Sequence, residues 1–376
     1  MKIFSITNTE IINTVKMLIY KENPLLLEKI DFDNDNIFLE PLIFAYFNLP
    51  RAQRNNLVLE EIMQGYFISP NEIFIKYSYN DDGIGYIPKL GYYKKNEGKL
   101  FDEINFIENT KIEILKYKVK FLQHIYKDSD NKEIESIEIE IQNAYKKNIL
   151  FLNKAFNLIR ENVFEQFKLI ELSCKKCVIF RSDPKNTNSF AAMSAHGVAF
   201  FNAYQEDYDE VFFVDDIGHQ TGHIILSALF YNRKDFFKID EEQNIGKILL
   251  NDDTRTIYVL IHAFYTYYTT FICLDACLEK NSFKGKQKNE ALGRIGFYLD
   301  KCKKDFQNFD KIINHFECIE NILTPNGIEI YTNIKEKYFE VLYKWEPITK
   351  EFNYINQPYN FTYSKFIELN KFTHGF

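Results

Sequence analysis

Three histidines on two predicted helices have a spacing that suits metal ligands. His219 and His223 stand four positions apart in GHQTGHIILSALF, so both rings lie on one helix face, about one turn apart, where both can bind one ion. His262 lies in an aromatic, uncharged stretch of a second predicted helix, where an unpaired buried imidazole is costly and a metal is a suitable partner. The spacing also arises by chance, and burial with ordinary hydrogen bonds is the alternative.

The residue at position 220 indicates which chemistry a metal could support here. In HExxH metallopeptidases the glutamate is the general base that deprotonates the metal-bound water. This chain has Gln220 instead, and an amide cannot accept that proton. Hydrolysis by the usual route is therefore disfavoured. Metal-dependent oxidation needs no such base, because it requires two or three protein ligands and open positions for a cosubstrate and oxygen.

Arg255 stands seven residues before His262, two helical turns away on the same face and about 10 Å along the axis. A small dicarboxylate such as 2-oxoglutarate chelates a metal with its keto-acid end and needs a cation for its far carboxylate, over a span of similar size. The fork of an arginine suits that carboxylate better than a lysine does. The alternative is a salt bridge from Arg255 to Asp252 or Asp253. Either aspartate, or Asp216, could also replace His262 as the third metal ligand.

Short matches across residues 189–327 resemble one known family, the HExxH-type iron(II)/2-oxoglutarate-dependent hydroxylases of ribosomally made peptides. HGVAFFN resembles the family's Gly-Val-apolar strand, and GHQTGHIILSAL resembles its His-Glu-x-x-His helix. DDTRTIYVLIHAFYTY resembles its Asp-Pro-Arg-Pro segment and Leu-His-Gly-x-Tyr run, and ILTPNG resembles its late Leu-Thr-x-x-Gly. The chain departs from the family's Glu, two prolines and Gly at Gln220, Thr254, Thr256 and Ala263.

The resemblance implies an iron site with an oxidative function. By match, His219, His223 and His262 are expected to bind iron(II), and Arg255 is expected to hold 2-oxoglutarate as cosubstrate. The expected reaction uses O2 to hydroxylate an unactivated carbon of a precursor peptide, with Gln220 orienting a ligand or the substrate. The alternatives are a metal-dependent hydrolase that uses another base, or a catalytically impaired peptide-binding protein of the same fold.

Two tyrosine-rich regions are expected to shape such a site. Tyr258, Tyr265, Tyr267 and Tyr268 on the second histidine helix would form its wall. The peptide is expected to lie in a groove, against the Gly- and Tyr-rich segment Tyr79–Gly98.

The elements of the first half read as helices with loops. Thr9–Tyr20 and Ile37–Phe47 carry apolar residues at mixed spacings of three and four, which predicts helices. Tyr79–Gly98 predicts a long loop that could include a short hairpin. From Leu100 to about Phe167, the charged and periodic sequence predicts two or three long helices.

After about Leu169 the sequence changes to short apolar runs, which predict strands: CVIFRSD, SFAAMSAHGVAFFNA and EVFFVDD. The two histidine helices follow, each preceded by an acidic pair. Asp215 or Asp216 is expected to cap the first helix, and Asp252 or Asp253 the second.

These elements predict a mainly α protein with a small β component beside the metal site, an α+β fold. The predicted division is a helical N-terminal region, residues 1–168, and a metal-binding catalytic region, residues 169–376. No low-complexity linker separates them, so the two could also form one continuous domain.

Composition limits the partners and the compartment. The net charge of −7 argues against a protein whose whole surface binds nucleic acid. Thr256–Leu274 is uncharged, but its tyrosines, threonines and histidine favour a buried helix over a membrane span. No secretory signal pattern starts the chain, so free thiols in the cytoplasm are expected. Cys174 and Cys177 have redox or zinc spacing, and a zinc site shared with Cys273 and Cys277 is the weaker alternative.

Overall fold

Helices make up 60% and strands 11% of the computed structural model, which confirms the predicted mainly α fold with a small β component. The structure describes residues 2–69, 78–95, 97–126 and 139–370. The chain divides into unit 1, Met1–Asn153 with Leu169–Glu206, and unit 2, Lys154–Lys168 with Asp207–Phe376. The strands of the described residues belong to unit 1, whereas the three candidate histidines belong to unit 2.

The described residues of unit 1 form two small sheets. The first is antiparallel, in the order β1 (Ile84–Ile87), β2 (Gly91–Lys94) and β3 (Leu100–Asp102). The second has the order β4-β5-β6-β8-β7, formed by β4 (Asn105–Phe106), β5 (Glu113–Leu115), β6 (Lys176–Phe180), β7 (Phe190–Ala191) and β8 (Val198–Asn202). In its centre β5, β6 and β8 run parallel, and every residue of these three strands is buried, as is usual for parallel strands covered on both faces.

A buried ionic group stabilises the second sheet. The Lys176 ammonium on β6 lies 2.6 Å from the Glu113 carboxylate on β5 and 3.2 Å from that of Glu40. The Tyr86 hydroxyl donates to Glu113 at 2.7 Å and accepts from Lys176 at 2.9 Å. Burial disfavours the charge of Lys176, but the two carboxylates outweigh burial, so the pKa of Lys176 is raised.

The strand pairing explains why the units depart from the predicted boundary at residues 168 and 169. Residues 169–206 carry β6, β7 and β8, which complete the sheet begun by β4 and β5, so they belong to unit 1. Residues 154–168 belong to unit 2, where the Asn162 amide donates to the Ser282 hydroxyl at 3.1 Å.

The helices before residue 206 are α1 (Lys2–Glu22), α2 (Pro41–Asn48), α3 (Asn56–Met63), α4 (Gln142–Asn162) and α5 (Phe164–Ser173). The predicted helices over Leu100–Phe167 are correct only from Gln142 onward. Before that point lie β3, β4, β5 and a short 3₁₀ helix at Lys120–Ile125, and residues 127–138 lie outside the described part. Pairing with β2 and β6 overrides the local helical pattern there. The hairpin predicted within Tyr79–Gly98 is confirmed by β1 and β2.

Unit 2 is helical. It contains residues 154–168 of α4 and α5, and its other helices in the described residues are α6 (Glu210–Leu229), α7 (Ile245–Leu249), α8 (Ile257–Glu279), α9 (Lys286–His315), α10 (Pro325–Thr349) and α11 (Tyr363–Asn370). Helix α8 packs against α6, α9 and α10. By length and composition it is the one helix of the described residues apolar enough to cross a membrane, and 72% of its most apolar window is buried. The predicted buried helix is thus confirmed.

Neither histidine helix is capped by the acidic pair that the sequence predicted for it. Helix α6 begins two turns earlier, where the Asp209 carboxylate accepts from the Val211 backbone N–H at 2.9 Å. EVFFVDD is therefore helical rather than a strand, and Asp215 and Asp216 lie buried inside the helix. Helix α8 is capped by the Thr256 hydroxyl.

One buried carboxylate connects α8 to α10. The Asp275 side chain accepts from Lys337 at 2.6 Å, from Lys344 at 2.9 Å and from the indole N–H of Trp345 at 2.9 Å. Trp345 is the only tryptophan of the chain, so its fluorescence reports on this contact.

Candidate metal centre

Two glycines allow the histidine helices to approach closely. A Cβ atom added to Gly222 of α6 would lie 2.3 Å from the Thr269 hydroxyl of α8, and one added to Gly218 would lie 3.0 Å from the Thr270 Cα. The Thr269 hydroxyl donates to the backbone carbonyls of Tyr265 and Thr266, so this polar group at the seam is satisfied within α8. Each glycine directly precedes a candidate histidine. The close approach therefore sets how near the histidines of α6 come to α8.

The three histidine side chains converge at this seam. The His223 Nδ1 and His262 Nε2 atoms share a hydrogen bond of 2.8 Å, so the alternative of burial with ordinary hydrogen bonds is present for these two rings, whose centroids lie 4.6 Å apart. The ring centroids of His219 and His223 are 5.1 Å apart, one helical turn from each other. All three side chains are half-buried, so each keeps some surface accessible to solvent. His223 thus contacts His262 across the seam and lies one turn from His219 along α6.

The surroundings keep these imidazoles neutral. Burial lowers the pKa of His223 to about 4. Burial also lowers the pKa of His219, with smaller contributions from the charges of His223, Lys301 and His262. The pKa of His262 is lowered in the same way, by burial and then by His223 and Arg233. Neutral imidazole is the form that binds a metal.

The cluster is compatible with a metal ion, but it is not a closed ligand set. No group of three or more His, Cys, Asp or Glu within the described residues has the geometry of a metal site. Two nitrogens bound to one ion in adjacent positions lie about 3 Å apart, close to the separation of His223 and His262. The Nδ1 atom of His219 is buried without a hydrogen-bond partner among the described residues.

No family model matches the chain, and a search of the curated proteins finds no match either. The assignment of the three histidines to iron therefore stays a prediction that rests on their geometry and on the short resemblance.

Arg255 is bound to two carboxylates of its own unit. Its guanidinium donates to Asp253 at 2.8 and 3.0 Å, and to Asp305 of α9 at 2.7 and 3.2 Å. The Asp253 hydrogen bond is the main cause of a raised Arg255 pKa. Of the alternatives weighed from the sequence, the salt bridge to Asp253 is present, and Asp305 is an additional partner. A cosubstrate carboxylate would have to compete with both.

Gln220 points its amide toward the carboxylate of the preceding turn. Its Nε2 donates to Asp216 Oδ1 at 2.8 Å, and its Oε1 is buried without a partner in the described part of the chain. This places Gln220 on α6 beside the histidines but engaged with Asp216. Of the acidic alternatives for the third ligand, Asp216 binds Gln220, Asp253 binds Arg255 and Asp252 is exposed.

Sequence reasoning missed the buried polar face of α9. Arg294 donates to Asp215 of α6 at 2.6 Å and to Glu290 at 2.7 Å. One turn further on, the Tyr298 ring stacks on His219 with centroids 6.0 Å apart, and its hydroxyl donates to Asp215 at 3.4 Å. The pair of Glu290 and Arg294 stands at i,i+4, but no spacing rule could reveal the contacts with Asp215 and His219, whose partners are about 80 residues away. They fix α9 against the helix that carries His219 and His223.

The expected tyrosine wall is only partly present. The Tyr258 ring lies 5.4 Å from that of His262. Tyr265 and Tyr267 are buried, and the Tyr267 hydroxyl donates to Asp305 at 3.3 Å. Tyr268 is half-buried against Tyr265.

The cysteines do not form a zinc site in the described residues. All six are free thiols. Cys174 and Cys177 are buried in unit 1, with sulfur atoms 3.9 Å apart, and Cys177 lies on a strand rather than at a helix start. Burial raises the pKa of Cys177, which lowers the reactivity of its thiol.

Proposed function

We propose that the chain is an iron(II)/2-oxoglutarate-dependent oxygenase that hydroxylates a carbon of a ribosomally made precursor peptide. The observation that carries this proposal is the convergence of His219, His223 and His262 at the seam of α6 and α8, with two ring nitrogens 2.8 Å apart. Three protein ligands would leave positions of a bound iron(II) open for a cosubstrate and O2, as oxygenases of this type require.

The residues around the histidines favour oxidation over hydrolysis. Bound iron(II) would supply the activation of O2, with 2-oxoglutarate as the source of electrons. Gln220 cannot serve as the base of a hydrolase, and its amide is hydrogen bonded to Asp216. Tyr258 and Tyr298 each place a ring beside one histidine and exclude water from part of its surface.

The peptide substrate is the part of the proposal that rests on the resemblance alone. The segment Tyr79–Gly98, against which the peptide is expected to lie, belongs to unit 1 and forms a hairpin there. The expected cytoplasmic location, with no nucleic-acid or membrane partner, belongs to the same proposal.

Anaerobic titration of the metal-free protein with iron(II) and then 2-oxoglutarate tests the proposal. A visible iron-to-keto-acid charge-transfer band is expected in the wild type. It should be lost in His223→Ala and His262→Ala, whose rings meet, and retained in His315→Ala, which changes an exposed histidine at the end of α9.

If no band appears while zinc(II) binds tightly, the oxidative mechanism is wrong, and the hydrolase or the peptide-binding protein takes its place. If neither metal binds but a precursor peptide does, the chain is a peptide-binding protein of the same fold.

A further inference from the structure

Helix α10 presents two large aromatic rings to solvent. On its packed side, the rings of Tyr331 and Tyr338 lie 5.9 and 5.0 Å from that of Phe306 on α9. On the other side, Phe339 is 52% exposed and Tyr343, one turn further on, is 87% exposed. Two neighbouring exposed rings on one helix face are an apolar patch of the kind that marks interaction surfaces.

The two rings belong to a longer stripe along α10, which consists of Glu336, Phe339, Tyr343, Pro347 and Lys350 and is called the Tyr343 stripe below. All five residues are exposed. They follow one another at spacings of three or four, so they share one face of the helix. Lys350 caps the helix with backbone angles that are still helical, φ −61° and ψ −25°, so the stripe continues to that residue.

The two ends of the stripe carry opposite charges. Glu336 forms no ion pair within the part of the chain that the structure describes, and Lys350 has only the Glu351 carboxylate, at 4.0 Å. The neighbouring charges on α10 differ in this respect, since Lys344 binds Glu340 at 2.5 Å. The charges at the ends of the stripe are therefore available to a partner.

The pattern of the stripe is complementary to itself. When two copies of α10 pack antiparallel around a two-fold axis at Tyr343, residues at equal distances on either side of that position face each other. The two Tyr343 rings then meet at the centre, and Phe339 of each copy meets Pro347 of the other. Glu336 meets Lys350 about 10 Å from the centre, once at each end, because each stands seven residues from Tyr343.

The same arrangement also brings two carboxylates, Glu340 and Glu346, opposite each other. The Glu340 carboxylate already accepts from Lys337 at 3.1 Å and from Lys344 at 2.5 Å on its own helix. These two ammonium groups offset the repulsion, so the opposite charges at the ends of the stripe decide the sign of the electrostatic interaction.

We infer that the Tyr343 stripe is a homodimer interface, at which α10 of a second copy of this chain packs antiparallel. This inference is independent of the proposed function. One helix face from each copy buries less than the roughly 800 Å² per partner of a standard interface. The expected dissociation constant is therefore in the range of about 10–100 µM.

Sedimentation equilibrium of the full chain, from about 1 to about 200 µM, tests the inference. The variants are Tyr343→Ser, Glu336→Lys, Lys350→Glu and the double variant that combines the two charge changes. The matched control is Tyr20→Ser, which removes another exposed ring, 64% exposed, from α1 of unit 1. Circular dichroism checks that each variant keeps the helical content of the wild type.

The wild type and Tyr20→Ser are expected to dimerise with the same dissociation constant. Tyr343→Ser should raise that constant about tenfold or more, because the central contact is lost. Each single charge change should also raise it about tenfold, since it places two like-charged pairs in every dimer. The double variant should recover most of the wild-type affinity, because it reverses both pairs and restores their attraction.

A wild type that stays monomeric up to about 200 µM overturns the inference, and the stripe then fits a different protein. A dimer whose dissociation constant is unchanged in Tyr343→Ser forms through another surface and overturns it as well. If the double variant dimerises no better than the single variants, Glu336 does not face Lys350 and the antiparallel arrangement is wrong.

Discussion

Gln220 stands where a metallopeptidase has its catalytic glutamate, and its local partner explains why an amide suits this position. The Gln220 Nε2 donates to the buried Asp216 carboxylate one turn earlier on α6. A glutamate here would bring a second carboxylate to Asp216 and would have no hydrogen to donate unless it took up a proton. The departure from the family pattern is therefore matched by a contact inside the helix.

The first prediction is that Gln220→Glu destabilises unit 2. The loss of the hydrogen bond and the added buried charge should lower the free energy of unfolding by on the order of 2 kcal/mol. Urea unfolding followed by Trp345 fluorescence measures the change. Gln220→Met serves as control, since it removes the hydrogen bond without adding a charge and should cost less. Equal losses in the two variants would contradict the explanation by charge.

Glu61 of α3 carries a second prediction, for unit 1. Burial raises the pKa of its carboxyl group from the ordinary 4.5 to about 7, although hydrogen bonds from the Ser78 backbone and hydroxyl act in the opposite direction. The folded state therefore holds the proton more tightly than the unfolded chain does. The contribution of Glu61 is fully present below pH 4.5 and is lost as the pH rises through about 7.

The free energy of unfolding of Glu61→Gln should lack this pH dependence, whereas that of the wild type should show it. The expected difference across that pH range is on the order of 2–3 kcal/mol. Urea unfolding followed by circular dichroism at several pH values measures it, because unit 1 has no tryptophan. Glu60→Gln, the neighbouring change on α3, should retain the wild-type dependence. If Glu61→Gln retains the wild-type pH dependence, the dependence does not come from Glu61.

At the scale of elements, the sequence predicted the histidine helices but not their starts. The i,i+4 spacing of His219 and His223 can be read from the local sequence. The long aromatic, uncharged stretch of α8 can be read in the same way. The run EVFFVDD has the composition of a strand, and only the Asp209 cap together with burial on all sides of α6 makes it helical. Asp215 then lies inside the helix, where Arg294 of α9 compensates its charge. The ion pair that compensates the buried Asp215 charge depends on tertiary packing, which cannot be predicted from residue spacing.

The glycines of α6 give a graded prediction about helix approach. Gly222→Ala places a Cβ atom 2.3 Å from the Thr269 hydroxyl, whereas Gly218→Ala meets its nearest neighbour, the Thr270 Cα, at 3.0 Å. The first change should cost about 1–3 kcal/mol and the second less, because overpacking forces the helices apart. Urea unfolding by Trp345 fluorescence measures both. A larger loss in Gly218→Ala would contradict this grading by contact distance. No loss in Gly222→Ala would show that the Thr269 hydroxyl or the seam gives way without cost.

The Gly222→Ala change should also weaken the proposed metal site. Because Gly222 directly precedes His223, widening the seam separates the His223 and His262 nitrogens, which now lie 2.8 Å apart. Metal affinity should therefore fall more in Gly222→Ala than in Gly218→Ala.

At the scale of the whole molecule, the fold class was predictable and the division of the chain was not. Composition and periodicity give the mostly helical content. The boundary predicted after residue 168 rests on a change from periodic charged sequence to short apolar runs. Strand β5, however, pairs with β6 across this boundary, and Glu113 of β5 lies opposite Lys176 of β6, 63 residues later in the chain. The Lys176 ammonium is held by Glu113 and Glu40, so the residues after 168 are bound to the first unit. Pairing over such separations is not encoded in any local pattern.

The division into units also determines which unit a bound metal ion would stabilise. His219, His223 and His262 belong to unit 2, and so does Trp345, which is bound to Asp275 on the same helix as His262. A ligand that binds only the folded unit stabilises it by mass action. At a free iron(II) concentration about a hundred times the dissociation constant, the free energy of unfolding should rise by about 2.7 kcal/mol.

Anaerobic urea unfolding followed by Trp345 fluorescence, with and without iron(II), measures this stabilisation. Adding a chelator should reverse it, and it should be absent in His223→Ala and His262→Ala, because those two rings supply the adjacent nitrogens. His315→Ala should behave as wild type, since that histidine is exposed at the end of α9. If iron(II) stabilises His262→Ala as much as the wild type, the ion binds elsewhere. The convergence of the three rings would then reflect the packing of α6 on α8 at Gly222 rather than a metal centre.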